Sequence, residues 1–216
     1  MHPTLVLFDL DGTLVDTAPD LAFALNLQRQ LHGLAAMPEN EIRPYASHGS
    51  TGLLKVGFGI DKQHPEFADY VSEYLSLYGQ VFDRDPQLFG GMQDLLNSFA
   101  QQNILWGVVT NKHRQFSQPL MSKLGLSEQC ACLICGDDVS QPKPSPEGLL
   151  TACDKLGFLP KDTVYVGDAE RDIQAGKAAG MRTVIAMYGY LSEQDMPQQW
   201  LADNMIYQPQ ELGLLI

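Results

Sequence analysis

Two hydrophobic patterns alternate along the chain. Leu5-Val6-Leu7-Phe8 is a continuous apolar run that ends at a polar, glycine-containing turn. Such a run suits a strand buried on both faces, as in a parallel sheet. Similar runs recur at Leu105–Val109, Ala131–Ile134, Thr163–Val166 and Thr183–Met187. Between them, apolar residues return at helical spacing. Gly91 to Gln102 carries Met92, Leu95, Leu96 and Phe99, and Gln115–Leu124, Ser145–Leu156 and Asp172–Ala179 follow the second, third and fourth runs. Pro146 falls where a first-turn proline is tolerated. Strands alternating with helices predict an α/β fold, a doubly wound parallel sheet of Rossmann-like type.

The stretch from about Asp16 to about Asp85 breaks this alternation. Leu21, Leu25 and Leu31 predict one helix, Ile42–Leu54 a second and Phe67–Phe82 a third, with no strand-like run of comparable clarity. The pattern predicts a small helical domain (16–84) inserted into a core domain made of 1–15 and 85–216.

Composition narrows the class. With 216 residues, 44% hydrophobic and 19% charged, the chain suits a globular protein with one core and a small accessory unit. It has no run of about 20 apolar residues, so no membrane span is expected. The N-terminal segment, beginning Met1-His2-Pro3-Thr4, lacks the basic start and long apolar stretch of a signal peptide, which predicts a cytoplasmic location. A net charge of −12 repels nucleic acid and anionic membrane surfaces. It repels phosphate esters too, so an anionic substrate would need local cations, a bound metal above all. Cys130, Cys132 and Cys135 lie close together, with Cys153 apart. They read as small buried residues rather than a zinc site, since no second pair completes one, and a disulfide framework is not expected.

Ligands of open α/β sheets bind outside the carboxyl ends of the strands. The polar residues there are Asp9 and Asp11 after the first run, Thr110-Asn111-Lys112 after the second, Lys143 after the third, and Asp168 to Asp172 after the fourth. Asp9 can attack phosphorus, a known use of a carboxylate. Two carboxylates facing a phosphate call for a hard cation, and Mg2+ takes one or two carboxylates, waters and substrate oxygens. Asp9 and Asp168 are the candidate ligands, with Asp11 adding a backbone carbonyl. The Asp11 side chain is then available to protonate a leaving oxygen and later to activate water. Thr110 and the amide of Asn111 are candidates to hold phosphate oxygens, and Lys143 to place charge on the transferring group. Asp172, four residues after Asp168, can brace Lys143 or a metal-bound water. The segment Ser47 to Gly52, with Gly49 and Ser50, is a candidate substrate contact from the helical insertion.

These residues resemble the four motifs of the haloacid dehalogenase (HAD) superfamily: Asp9-Leu10-Asp11-Gly12-Thr13, Thr110-Asn111-Lys112, Lys143-Pro144, and Gly167-Asp168 through Asp172. The insertion resembles the cap of members that act on small molecules. The resemblance implies a phosphatase with Asp9 as nucleophile, Asp11 as acid/base and Asp168 as the third metal ligand. Within the superfamily the chain is similar to phosphoglycolate phosphatases. It is closer to N-acetylmuramic acid 6-phosphate phosphatases through Leu105–Lys112, Arg171–Gly176, Tyr188-Gly189-Tyr190 and Trp200–Asp203. A Mg2+-dependent phosphomonoesterase acting on a small-molecule phosphate ester is therefore expected, as a monomer or homodimer. A dehalogenase would need no Asp11. The remaining alternatives are a phosphomutase on a sugar phosphate and a non-catalytic binding protein on the same fold.

Overall fold

A computed structural model describes residues 5–216. The reading of Met1–Thr4 as lacking signal-peptide character lies outside the described residues. In chain order the elements are β1 (Leu5–Phe8), β2 (Val15–Asp16), α1 (Ala18–Leu31), α2 (Glu39–Ile42), α3 (Gly49–Phe58), α4 (Phe67–Tyr78), β3 (Gln87–Leu88), α5 (Met92–Gln102), β4 (Leu105–Val109), α6 (Arg114–Lys123), β5 (Leu133–Ile134), α7 (Glu147–Leu156), β6 (Thr163–Gly167), α8 (Glu170–Ala179), β7 (Arg182–Ala186) and β8 (Asn204–Ile206).

Six strands form one parallel sheet in the order β5-β4-β1-β6-β7-β8. Numbered by their own succession, that is the order 3-2-1-4-5-6, which places the reversal of winding between β1 and β6. β1 lies at the centre of the sheet, and all four of its side chains are fully buried. The pleat divides them between two cores. Val6 and Phe8 pack with Phe99, Trp106 and Leu120 under α5 and α6, while Leu5 and Leu7 pack with Leu149, Ala152 and Tyr165 under α7 and α8. This is why the strand reads as a continuous apolar run rather than an alternating one.

The helices α1 to α4 form a separate cluster around Leu21, Leu25, Ile42, Leu53, Leu54, Tyr74 and Tyr78. Phe116 of α6 and Tyr190 of the core complete it, so this layer rests on the sheet's carboxyl edge. β2 and β3 pair antiparallel, Val15 with Leu88 and Asp16 with Gln87, and so tie together the entry to the helical segment and its exit.

Several predicted boundaries move. Ile42–Leu54 is not one helix: α2 ends at Ile42, a 3-10 turn covers Arg43–His48, and α3 starts at Gly49. Pro44 supplies no amide, and Gly49 takes φ +60°, which breaks the helical path. The predicted helix Phe67–Phe82 ends at Tyr78 and continues as turns. In Ala131–Ile134 only Leu133 and Ile134 pair. The helix after the fourth strand starts at Glu170 rather than Asp172. All four cysteines are free; Cys132, Cys135 and Cys153 are buried and Cys130 partly so. Burial pushes the Cys130 thiol up to about 12 and those of Cys132 and Cys135 up to about 11.

Phe99 is fully buried and its ring stacks on Phe8, with centroids 6.4 Å apart. Phe99→Ala should lower stability by about 3–5 kcal/mol, measured from urea unfolding. A loss below about 1 kcal/mol would show that the α5–β1 contact does not hold the core together.

Candidate active site

The site begins where β1 stops. Asp9 continues the strand, its amide bonded to Val166 of β6 at 2.9 Å. The chain then turns sharply: Gly12 takes φ +82°, and the amides of Leu14 and Val15 both return to the Leu10 carbonyl. A side chain on Gly12 would collide with the Asp168 carboxylate, and one on Gly189 would meet Asp168 from the other side. The two glycines thus let the main chain close around Asp168.

Asp9, Asp168 and Asp172 form a buried cluster with carboxylate oxygens within 4.8 Å of one another. Asp9 follows β1 and Asp168 follows β6, so the cluster stands at the reversal of the sheet. Asp172 reaches it from the first turn of α8, where it also accepts the Ala169 amide at 3.0 Å. Lys143 lies beneath these acids. Its ammonium contacts Asp9 at 2.8 Å and Asp172 at 2.7 Å. It also donates to the Tyr165 hydroxyl at 2.7 Å and the Val109 carbonyl at 3.2 Å. Asn111 fixes the Lys143 backbone from both sides: its side-chain oxygen accepts the Lys143 amide at 2.9 Å and its NH2 donates to the Lys143 carbonyl at 3.0 Å.

Burial raises the Asp9 pKa, an effect that the Lys143 charge partly offsets. Burial works against the charge of Asp172 as well, but Lys143 and Arg171 outweigh it and hold its pKa below the usual carboxylate value. Among the described residues, no cation contacts Asp168. Its partners are the Ser47 hydroxyl at 2.6 Å, the Tyr190 amide at 2.9 Å and the Thr13 hydroxyl at 3.4 Å. Burial, then Asp172 and Asp9, push it up to about 7. An oxygen-only set of clustered carboxylates, one of them without a counter-ion, fits a hard dication such as Mg2+.

Asp11 occupies different ground. It is part-exposed and faces a cavity of about 350 Å³ between the sheet edge and the helical layer. Its carboxylate accepts from Lys112 at 3.0 and 3.2 Å and from the Thr17 hydroxyl at 2.6 Å. Lys112 also donates to Tyr78 of α4 at 2.7 Å.

The predicted residues divide into two groups. Asp9, Asp11, Thr110, Asn111, Gly49 and Ser50 line the cavity, whereas Lys143 lies below its floor, saturated by buried acceptors. The Asn111 side chain is engaged by the Lys143 main chain. The third carboxylate of the cluster is that of Asp172, and the Asp11 side chain stands outside it. Sequence reasoning assigned no role to Lys112, Thr17, Arg171, Tyr78 or Tyr190, and it took Ser47 as part of a substrate-contact segment rather than as a partner of Asp168. Lys112 was legible in principle, because it sits at a strand end beside Asn111. The contact of Ser47 with Asp168 joins residues 121 apart in the chain, and no local pattern marks it.

The fold and the site set a buried cluster of carboxylates at the switch point of a doubly wound sheet, beside a cavity. A family model described as haloacid dehalogenase-like hydrolase matches residues 6–186. An N-acetylmuramic acid 6-phosphate phosphatase of Pseudomonas putida is 41% identical over 211 residues, 98% of this chain and 95% of that protein. A phosphoglycolate phosphatase of Xanthomonas campestris is also 41% identical over 211 residues, 97% of this chain and 95% of that protein. A crystal structure described as a predicted phosphoglycolate phosphatase, from Haemophilus somnus, superimposes with a TM-score of 0.85 at 26% identity, covering 100% of this chain and 99% of that one. The chain belongs to the haloacid dehalogenase-like hydrolases, and within them it is a phosphatase, a phosphoric monoester hydrolase.

The raised Asp168 pKa has a consequence for stability. The ordinary value is 3.8 and the folded value about 7, so across that window the folded chain keeps a proton that the unfolded chain has lost. Stability from this group therefore falls as the pH rises. In EDTA, the melting temperature should drop between about pH 5 and pH 8, and less steeply in Asp168→Asn. Added Mg2+ should stabilise more at the higher pH. Equal stabilisation at both pH values would remove Asp168 from the cation site.

Proposed function

We propose that the chain is a Mg2+-dependent phosphomonoesterase in which Asp9 is the nucleophile and Asp11 the acid/base residue. The observation that carries this reading is the contrast between the two carboxylates. Asp9 is buried, fixed by Lys143 and by the Leu10 amide at 2.8 Å, and stands at the cavity floor. Asp11 is two residues on, part-exposed, and held among hydrogen-bond donors at the cavity wall. One is placed to attack, the other to exchange protons with solvent and substrate.

Asp9 attacks phosphorus while Asp11 donates a proton to the departing alkoxide oxygen, which leaves an alcohol and a phospho-aspartate at Asp9. Asp11, now a carboxylate, takes a proton from water. The hydroxide attacks phosphorus and releases inorganic phosphate with Asp9 restored. Thr110 and the Asn111 amide are placed to hold phosphoryl oxygens. Lys143 holds Asp9 in position from below, and Asp172 holds Lys143. Mg2+ carried by Asp9, Asp168 and the Asp11 carbonyl would supply charge neutralisation for the phosphoryl oxygens. The division of labour places a core of 1–15 and 85–216 beneath a cap of 16–84, with Gly49 and Ser50 touching the substrate. With no helix among the described residues long and apolar enough to cross a membrane, a cytoplasmic setting fits this role.

The substrate is a small-molecule phosphate ester, N-acetylmuramic acid 6-phosphate or 2-phosphoglycolate. The named relatives do not decide between them, since both kinds reach 41% identity. The cavity, about 350 Å³ and walled by Leu21, Tyr74, Leu75, Tyr78 and Phe116, lies in the range that takes ligands larger than a two-carbon acid. It favours the sugar phosphate.

Asp9→Asn should remove at least about 10³-fold of phosphate release while the protein stays folded, because the lost charge was disfavoured by burial. Activity within about tenfold of the parent would overturn the nucleophile assignment. Asp11→Asn should lower kcat by about 10²–10⁴-fold with little change in KM; a variant that loses affinity alone would contradict the acid/base role. EDTA should abolish turnover of both candidate esters and Mg2+ should restore it, and persistent turnover in chelator would rule out metal dependence.

A further inference from the structure

Three cationic side chains approach the site, and two of them are already occupied. Lys143 is saturated by Asp9, Asp172, Tyr165 and Val109. Lys112 is bound to Asp11 and Tyr78. The third is Arg171, second residue of α8, which lines the cavity. Among the described residues its guanidinium makes neither an ion pair nor a hydrogen bond, and the acids below act on it only through their charge. A guanidinium has five N–H donors in a planar fork that suits a carboxylate or a phosphate. Here the fork is presented to the cavity with no acceptor from the protein.

The surroundings of Arg171 on the cap side are also arranged for an anion. His48, Gly49 and Ser50 line the same cavity, and α3 starts at Gly49. The N-cap residue His48 makes no side-chain bond to the first turn; the Gly49 amide is taken by the Ala46 carbonyl, and the amides after it have no side-chain cap. Burial first, and then the Arg171 charge, hold the His48 imidazole below its usual pKa, so it adds no cation there near neutral pH. Leu21, Tyr74 and Phe116 give the walls an apolar and aromatic part, and His113 and Gln115 a polar one. The two ester classes named for the relatives differ greatly in size, but each carries one carboxylate in addition to its phosphate.

We infer that Arg171, with the start of α3, receives a carboxylate that the substrate carries away from its ester phosphorus. This rests on the phosphomonoesterase reading and adds to it the residue that selects esters carrying a carboxylate. Arg171 is then a specificity residue that touches the substrate's carboxylate, and the phosphoryl group remains with Asp9, Thr110 and Asn111.

The test compares matched esters on the full-length protein with Mg2+ present. N-acetylmuramic acid 6-phosphate is paired with N-acetylglucosamine 6-phosphate, which lacks the lactyl carboxylate, and p-nitrophenyl phosphate serves as a second carboxyl-free ester. The parent enzyme should prefer the carboxylate ester. Arg171→Gln should lower kcat/KM for it by roughly 10- to 100-fold, mainly through KM, and change the carboxyl-free esters by less than about threefold. Arg171→Lys should recover part of the loss, since it keeps the charge but not the fork. Equal losses on both kinds of ester would assign Arg171 to the phosphoryl group or to the acidic cluster, and would overturn the carboxylate assignment. So would a parent enzyme with no preference. Phosphate release from none of the esters by the parent protein would instead overturn the phosphomonoesterase reading, and the carboxylate assignment with it.

Discussion

Three buried carboxylates stand together where the winding of the sheet reverses, and a single ammonium lies in contact with two of them. Removing an isolated charge from water is costly, and a buried ion is tolerated only with close counter-charge and full hydrogen bonding. Lys143 meets that requirement for Asp9 and Asp172 at 2.8 and 2.7 Å. Much of the nearby structure serves to keep Lys143 there. Asn111 clamps its main chain, Tyr165 relays its donation to the Val109 carbonyl, and Asp172 is itself anchored by the Ala169 amide. β4, β6 and α8 each contribute, so the cluster is assembled by the sheet and not by one loop. Burial, with Asp172 and Asp9 close by, pushes the Asp168 pKa up, and its hydroxyl and amide partners offset that only in part.

The same residues that steady the acids also join the helical layer to the core. Ser47 belongs to the layer and donates to Asp168. Tyr78 belongs to α4 and accepts from Lys112, which holds Asp11. Tyr190 gives its amide to Asp168, while its hydroxyl donates to Asp16 at 2.8 Å and accepts the amides of Thr17 and Ala18 at the start of α1. Arg43 bonds Asp16 at 2.8 Å and lies over the Tyr190 ring. The position of the layer is thus coupled to Asp11 and Asp168 by short polar contacts, and a shift of the layer would disturb both.

Central strands and sheet-edge acids were legible in the sequence because each has a local cause. β1, β4, β6 and β7 are buried on both faces and so read as apolar runs, and Asp9, Asp11 and Asp168 stand directly after such runs. What stayed hidden lacks a local cause. β2 and β3 have two residues each, too few for a period, and exist because they pair with each other across the helical segment. β8 was missed because it is a three-residue edge strand set by its pairing with β7. Lys143 looked like a phosphate ligand from its place in the motif order. Its burial depends on Asn111, Tyr165 and Asp172 arriving from three other elements, which only the folded chain reveals.

The cations of the site are therefore separated by depth. Lys143 lies deepest and is neutralised by the acids it supports. Lys112 sits at the wall and is neutralised by Asp11. Arg171 is left facing the open volume. A chain of net charge −12 has little long-range attraction to offer a dianionic ester. Any attraction must be local and must survive the acids' own field. Charges already paired inside the protein contribute little to a ligand, since their field closes on their partners at 2.7 to 3.0 Å. Arg171 lines the cavity and has no bonded partner among the described residues, so its charge, partly offset by the acids nearby, is the one left to act on an anion there.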